Sequence, residues 1–355
     1  MSHIAACAVL ATSACAPIGD EKTAPARVVA ALPVAHANNA VAAVSREEKT
    51  TLYSFNGLRA GKTWRDISRM AFACTLPDGA CRRIADVPVE RGRLASVAVA
   101  LDGKIFVFGG YTVAEDGTEV STPEVFQFNP DTEKYLRRAD MPVPVDDAVA
   151  FPYASRYVYL VSGWHDDGNV SLVQVYDAME DRWFRASDYP GAPVFGHAGG
   201  AVGNKFVVAD GVAVIGEKDG RRQFGAVDEA WLGEIDPDDP AAIAWRRQPP
   251  HPGRPLYRMA AAGDAGHGRI VFLGGADNPY NYNGMGYDGV PATPSDRVFA
   301  FDLEADTWRS LGRRELPTMD HRGLIIAADG AYVTAGGLDG DRTVMASVIS
   351  KPAPK

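Results

Sequence analysis

The chain is poor in the residues that carry most metal and redox chemistry, with four cysteines and seven histidines among 355 residues. No His-Glu-x-x-His, closely spaced ligand pair or nucleophile elbow occurs, so the common zinc-hydrolase and serine-hydrolase sets are missing. Asp166-Asp167-Gly168-Asn169 and Asp236-Pro237-Asp238-Asp239-Pro240 read as turns rather than calcium loops. No metal and no cofactor are expected. Charged residues make up 23%, with a net charge of −9, and the basic residues fall in short pairs such as Arg82-Arg83 and Arg246-Arg247. Such a surface repels a phosphate backbone, which argues against a nucleic-acid partner. Past the N-terminus no apolar run approaches the roughly 18 residues of a helical membrane span. What the chain has in plenty is 36 glycines and 24 prolines beside 46% apolar residues, the composition of many short strands joined by turns.

The cysteines form two groups. Cys74 and Cys81 flank Thr75-Leu76-Pro77-Asp78-Gly79-Ala80, a turn between two strand-like runs, and so predict a disulfide across a hairpin. Two free thiols are the alternative; a zinc site lacks a second pair of ligands. A disulfide implies an oxidising compartment. Cys7 and Cys15 sit in an apolar N-terminus that resembles a secretory signal without its basic start. Thr12-Ser13-Ala14-Cys15 looks like a lipobox, with Thr12 where Leu or Val is usual. Residues 1–24 therefore read as a signal or lipoprotein-like leader with Cys15 as the lipidation candidate, the alternative being a disordered terminus. The expected location is the periplasm or cell envelope, with a lipid anchor as a possible attachment.

An apolar strand ending in a glycine pair, or a degraded pair, recurs six times, with final glycines at Gly57, Gly110, Gly163, Gly211, Gly275 and Gly337. The first three intervals are close to one another, and the two that follow Gly211 and Gly275 are longer, as two insertions would make them. A second landmark keeps the same register: Tyr135, Trp183, Trp245 and Trp308 each precede the next final glycine by nearly the same stretch of chain. A period near 50 with these landmarks resembles the kelch repeat, and residues 25–355 are expected to form an all-β, six-bladed kelch-type β-propeller. The last blade has an inner pair but no outer strand after it, whereas residues 27–33 have an outer-strand pattern and precede the first inner strand. The N-terminal strand is thus expected to close the ring and remove the last open edge.

In such a ring, residues after each glycine pair share a face with those opening each innermost strand. Counting one fixed distance back from each final glycine, the family's usual offset, selects Ala40, Arg93, Asp146, Val194, Arg258 and Asp320, with Asn39, Asp147, His197, His321 and Arg322 as neighbours. These charges would converge on the mouth of the channel as ligand groups or, alternatively, pair with one another to tie blades together. The loops past the glycines add Tyr111, Trp164 and His165. A long insertion, 276–289, supplies Asn278, Tyr280 and Tyr282, amides and flat rings suited to a carbohydrate, or else a cover over the channel. A second insertion, 212–222, carries Glu217, Arg221 and Arg222.

This plan resembles the bacterial N-acetylneuraminate epimerases, exported sialic acid mutarotases of the kelch class with six blades, an N-terminal closing strand and a similar fifth insertion. The resemblance implies a catalytic Glu directly after the fourth glycine and an Arg a few residues later. Here Val212 holds the Glu position, so Glu217, Arg221 and His197 become the catalytic candidates, with Arg93, Asp146, Arg258, Asp320, Arg322, Tyr111, Trp164, Asn278, Tyr280 and Tyr282 as ligand-binding candidates. A copper radical oxidase resembling galactose oxidase shares the propeller but needs a Cys–Tyr cross-link, and Cys74 and Cys81 lie on an outer hairpin. The sequence leaves open whether the protein is an enzyme. Its leading reading is an exported binding protein whose central mouth takes a sugar, a glycan or a protein partner; the alternative is a mutarotase or epimerase of N-acetylneuraminate or a related sugar.

Overall fold

In the computed structural model, which describes residues 25–77 and 79–354, the strands assemble into six four-stranded antiparallel sheets. The leader read at 1–24, with Cys15, lies outside the described residues. Blade 1 runs from the innermost strand Ala40–Arg46 through Lys49–Leu58 and Ile67–Leu76 to the outer strand Ala80–Ile84. Blades 2 to 5 repeat the order, with innermost strands Val97–Leu101, Val149–Tyr153, Ala198–Val202 and Ala260–Asp264. Each innermost strand abuts the next, and the sixth, Ile325–Ile326, abuts the first, so the blades form a closed ring.

Blade 6 confirms the expected closure. Its strands Tyr332–Ala335 and Ser347–Lys351 are followed by the N-terminal strand Arg27–Ala31, which pairs Arg27 with Ser350 and Ala31 with Ser347. The first and last strands of the described residues are thereby hydrogen-bonded to each other, and among the described residues each of the six blades has four strands.

Apolar side chains from facing sheets fill each blade junction. Phe55 and Phe128 join blades 1 and 2, and Phe151 and Phe206 meet at a tilt with centroids 4.5 Å apart between blades 3 and 4. Val41, Cys74 and Val348 join blade 6 back to blade 1. The outer-strand aromatics also reach back to the preceding blade: Trp183 Nε1 donates to Ala139 O at 2.9 Å and Trp308 Nε1 to Pro249 O at 2.7 Å. Tyr135 makes the same contact through its hydroxyl to Ala85 O at 2.9 Å, whereas Trp245 Nε1 makes no such bond among the described residues.

The glycine pairs mark a repeated backbone turn. Both pair positions have positive φ in every blade, for example 49° and 87° at Gly109 and Gly110, and Asn56, Ser162 and Asp210 hold the first position where glycine is lost. Asn and Asp tolerate this left-handed region better than most residues. A Cβ on Gly110 would come within 2.5 Å of Leu94 O, so the second position admits nothing larger.

Candidate ligand-binding mouth

Where each blade begins its innermost strand, one residue adopts the left-handed conformation: Asn38, Ala95, Asp147, Gly196, Arg258 and Asp320, with φ between 50° and 68°. Backbone hydrogen bonds pass around this circle from Asp147 N to Ala95 O, Gly196 N to Asp147 O, Arg258 N to Gly196 O and His321 N to Arg258 O. The link from Asn38 N to Asp320 O crosses from blade 1 to blade 6, and the Asn38 side chain accepts from Ala95 N. The throat of the propeller is therefore a hydrogen-bonded ring, and its side chains point where the blades converge.

Three of those side chains, Asp147, Arg258 and Asp320, plug the throat together with Arg322. Arg258 Nη2 lies 2.5 Å from Asp147 and its Nη1 3.2 Å from Asp320, while Arg322 Nε lies 2.7 Å from the other Asp147 oxygen. All four are buried. Burial opposes the Arg258 charge, but Asp147 and Asp320 beside it raise the guanidinium well above its ordinary range. Below the plug, innermost-strand alanines and glycines with His197 and His321 line a channel of about 340 Å³.

Above the plug lies a second cavity, of about 360 Å³. Three β-ribbons and one loop wall it. The first ribbon, Tyr111–Val113 with Glu119–Ser121, brings Tyr111 and Glu119; the second, Trp164–His165 with Gly168–Asn169, brings Trp164 and Asp166. The third, Val212–Lys218 with Arg221–Ala226, brings Arg222 and Phe224, and the 276–294 loop brings Asn281 and Tyr287. Phe195 packs edge to face on Trp164 and Phe224 at 5.4 and 5.8 Å, and Phe224 meets Trp164 and Tyr287 at a tilt, with centroids 5.9 and 4.3 Å apart. The elements also lock together through polar contacts, Arg222 to Asp167 at 2.9 Å and Asn281 Nδ2 to Glu119 at 3.1 Å.

One corner is acidic. Ser121 ties two carboxylates together: its Oγ donates to Asp146 Oδ2 at 2.7 Å and its backbone N to Asp166 Oδ1 at 3.1 Å. Burial, with Asp147 beside it, pushes the Asp146 carboxyl well above the usual carboxylate range.

Four of the sequence candidates, Tyr111, Asp146, Trp164 and Arg258, line this cavity, and Asp320 and Arg322 stand behind it in the plug. Tyr280 is fully buried, its ring 5.2 Å from the Arg258 guanidinium. Asn278 braces its own loop through Asp288 and Val290, and Tyr282 packs on the Leu58, Leu94 and Tyr111 cluster. The others do not reach the cavity. Arg93 pairs with Glu124 at 2.6 Å. The fixed offset from the final glycine reaches the throat at Arg258 and Asp320, but it lands one position before Asp147 and two before Ala95 and Gly196, so Arg93 stands short of the throat. His197 lines the lower channel and bonds through Nε2 to Val161 O at 2.9 Å. Glu217 and Arg221 are exposed on the third ribbon, Glu217 paired in register with Arg222.

Glu119, Asp166, Phe224, Asn281 and Tyr287 line the cavity without having been selected from the sequence. The two-residue period of a ribbon places Arg222 and Phe224 on one face, a signal that is readable once 212–226 is recognised as a hairpin.

Comparison with known proteins agrees with this architecture. Residues 92–142 match the Kelch motif. Kelch-like protein 15 of Gallus gallus is 34% identical over 108 residues, 30% of this chain and 22% of that protein's length. Beta-scruin of Limulus polyphemus is 27% identical over 183 residues, half of this chain and 19% of its own. The chain thus spans about a fifth of the length of these relatives. The solved structure of YjhT superposes with a TM-score of 0.69 at 15% identity, covering 91% of this chain and 96% of that one. The chain is a six-bladed β-propeller carrying a kelch motif, alike in fold to YjhT.

Proposed function

We propose that this propeller is an exported binding protein whose mouth takes a small hydroxylated ligand such as a sugar. The observation that carries the reading is the cavity of about 360 Å³ built from four separate segments, with aromatic faces on one wall and hydrogen-bonding carboxylates and an amide on the other. Stacking on flat rings with fixed polar partners is the usual chemistry of small-ligand recognition. The Cys74–Cys81 disulfide supports an oxidising location.

A panel of monosaccharides screened by saturation-transfer NMR tests the reading. Trp164→Ala and Tyr287→Ala should each weaken a bound sugar about threefold to tenfold, the usual loss for one aromatic contact. Binding that survives both substitutions moves the ligand elsewhere.

A second reading is favoured by Asp146 alone. A buried carboxylic acid facing a sugar-sized cavity is suited to protonate a ring oxygen, the step that opens a cyclic sugar during mutarotation. The same NMR samples decide it: faster equilibration of a freshly dissolved anomer, lost in Asp146→Asn, supports an isomerase, and an unchanged rate leaves the binding reading. Glu217 is exposed on the third ribbon and does not line the cavity, so this reading rests on Asp146 and not on Glu217.

A further inference from the structure

We propose that the mouth selects its sugar by charge, taking uncharged sugars and rejecting sugar acids, N-acetylneuraminate among them. This rests on the mouth being a sugar site and adds which class of sugar it admits.

A sugar acid needs a cation to receive it, because a carboxylate that enters a cavity unpaired loses its hydration without replacement. Among the described residues the basic side chains on the wall are Arg258 and Arg222, and both are engaged. Arg258 donates through Nε and Nη2 to Asp147 and through Nη1 to Asp320 and the Asn281 carbonyl. Drawing it toward a ligand would leave the two buried carboxylates of the plug with Arg322 alone. Arg222 donates to Asp167 and lies 5.4 Å from the Trp164 ring, so its charge is already matched at the rim.

The rest of the wall opposes an anion. Glu119 and Asp166 line the cavity, and among the described residues neither forms an ion pair with a Lys or Arg. The His165 Nδ1 that stands 3.9 Å from Asp166 already donates to Pro144 O. A ligand carboxylate would therefore be held close to two like charges, in a space that water screens only in part. A neutral sugar meets the same wall favourably. Its hydroxyls donate hydrogen bonds to carboxylate oxygens, which in their charged form only accept, and its ring face lies on Trp164 and Tyr287. A sugar acid keeps most of those hydroxyls and adds the repulsion.

Matched sugars decide it: glucose with glucuronate, galactose with galacturonate and mannose with mannuronate, each pair differing by a carboxylate in place of a hydroxymethyl group. They are titrated calorimetrically into the purified protein at neutral pH and low salt, with N-acetylneuraminate beside them. At least one neutral sugar should bind, its uronate about tenfold more weakly or worse, and N-acetylneuraminate as poorly as the uronates. High salt should narrow that ratio about threefold or more by screening the repulsion, and the Glu119→Gln, Asp166→Asn double variant about fivefold or more by removing it. Because the ratio is read within each condition, a loss of affinity common to both sugars of a pair does not enter it. A uronate or N-acetylneuraminate that binds as tightly as the neutral sugars overturns the charge selection and leaves the mouth as a sugar site. A preference for the neutral sugar that neither salt nor the double variant changes also overturns it, since shape would then be selecting. If none of these sugars binds, both the charge selection and the mouth reading fall.

Discussion

Asp147 is the residue on which the two cavities meet, since it lines the upper cavity and the lower channel and ties Arg258 to Arg322. Two histidines of the lower channel are held neutral. Burial, helped by Arg314 and Arg322, lowers His321 from 6.5 to about 3, and burial lowers His197 to about 4. A folded-state pKa below the unfolded one means that the unfolded chain alone takes up the proton between those values. The stability contributed by His321 is therefore complete above about pH 6.5 and is lost as pH falls toward 3, at about 1.4 kcal/mol per pH unit. Asp146 and Asp320, raised chiefly by burial, act in the opposite sense, favouring the folded state at lower pH. Replacing His321 by Gln should remove its share, so that urea unfolding free energies measured from pH 6.5 to 4.5 fall less steeply than in the parent. Parallel slopes would show that the folded protein protonates His321 freely.

At the scale of elements, the inner strands hold the ring and the additions carry the chemistry. The three ribbons and the 276–294 loop follow the glycine pairs of blades 2 to 5, so all four project over one face. The hairpin Ile67–Leu76 with Ala80–Ile84 lies at the opposite extreme, on the outer edge of blade 1, where Cys74 faces Cys81 in register and the disulfide forms. Closing so short a loop stabilises the protein by about 2–3 kcal/mol. The Cys74→Ser, Cys81→Ser double variant should lose about that much in chemical denaturation while binding the mouth ligand unchanged, because the hairpin contributes no residue to the cavity. A loss of binding in that variant would mean that the outer edge of the blade is coupled to the mouth.

For the whole molecule, closure is the governing event. The Arg27–Ala31 strand covers an edge that would otherwise expose the hydrogen-bonding groups of Ser347–Lys351. Deleting residues 25–31 should cost on the order of 3 kcal/mol or more and promote self-association through the freed edge, read by thermal melts and size-exclusion chromatography. A monomer melting at the parent temperature would show that three strands suffice for blade 6.

The blade number, the closing strand and the hairpin disulfide were legible in the chain itself, because glycine pairs, outer aromatics and the Cys74–Cys81 spacing obey local rules of backbone conformation and strand pairing. The mouth was legible only in part. Tyr111, Asp146, Trp164 and Arg258 sit next to those landmarks, and counting along the chain reaches them. Arg93 was misplaced because blades differ slightly in length between the throat and the glycine pair, a variation that a fixed offset does not follow. Glu217 and Arg221 are exposed near the tip of the third ribbon and do not line the cavity, whereas Arg222, the partner of Glu217 across the strands, and Phe224 do. What the sequence by itself determined was the repeat and its closure, which are local. What the tertiary structure decided was which charges cancel: Asp147, Arg258, Asp320 and Arg322 come from three blades, and only their convergence closes the throat beneath the upper cavity.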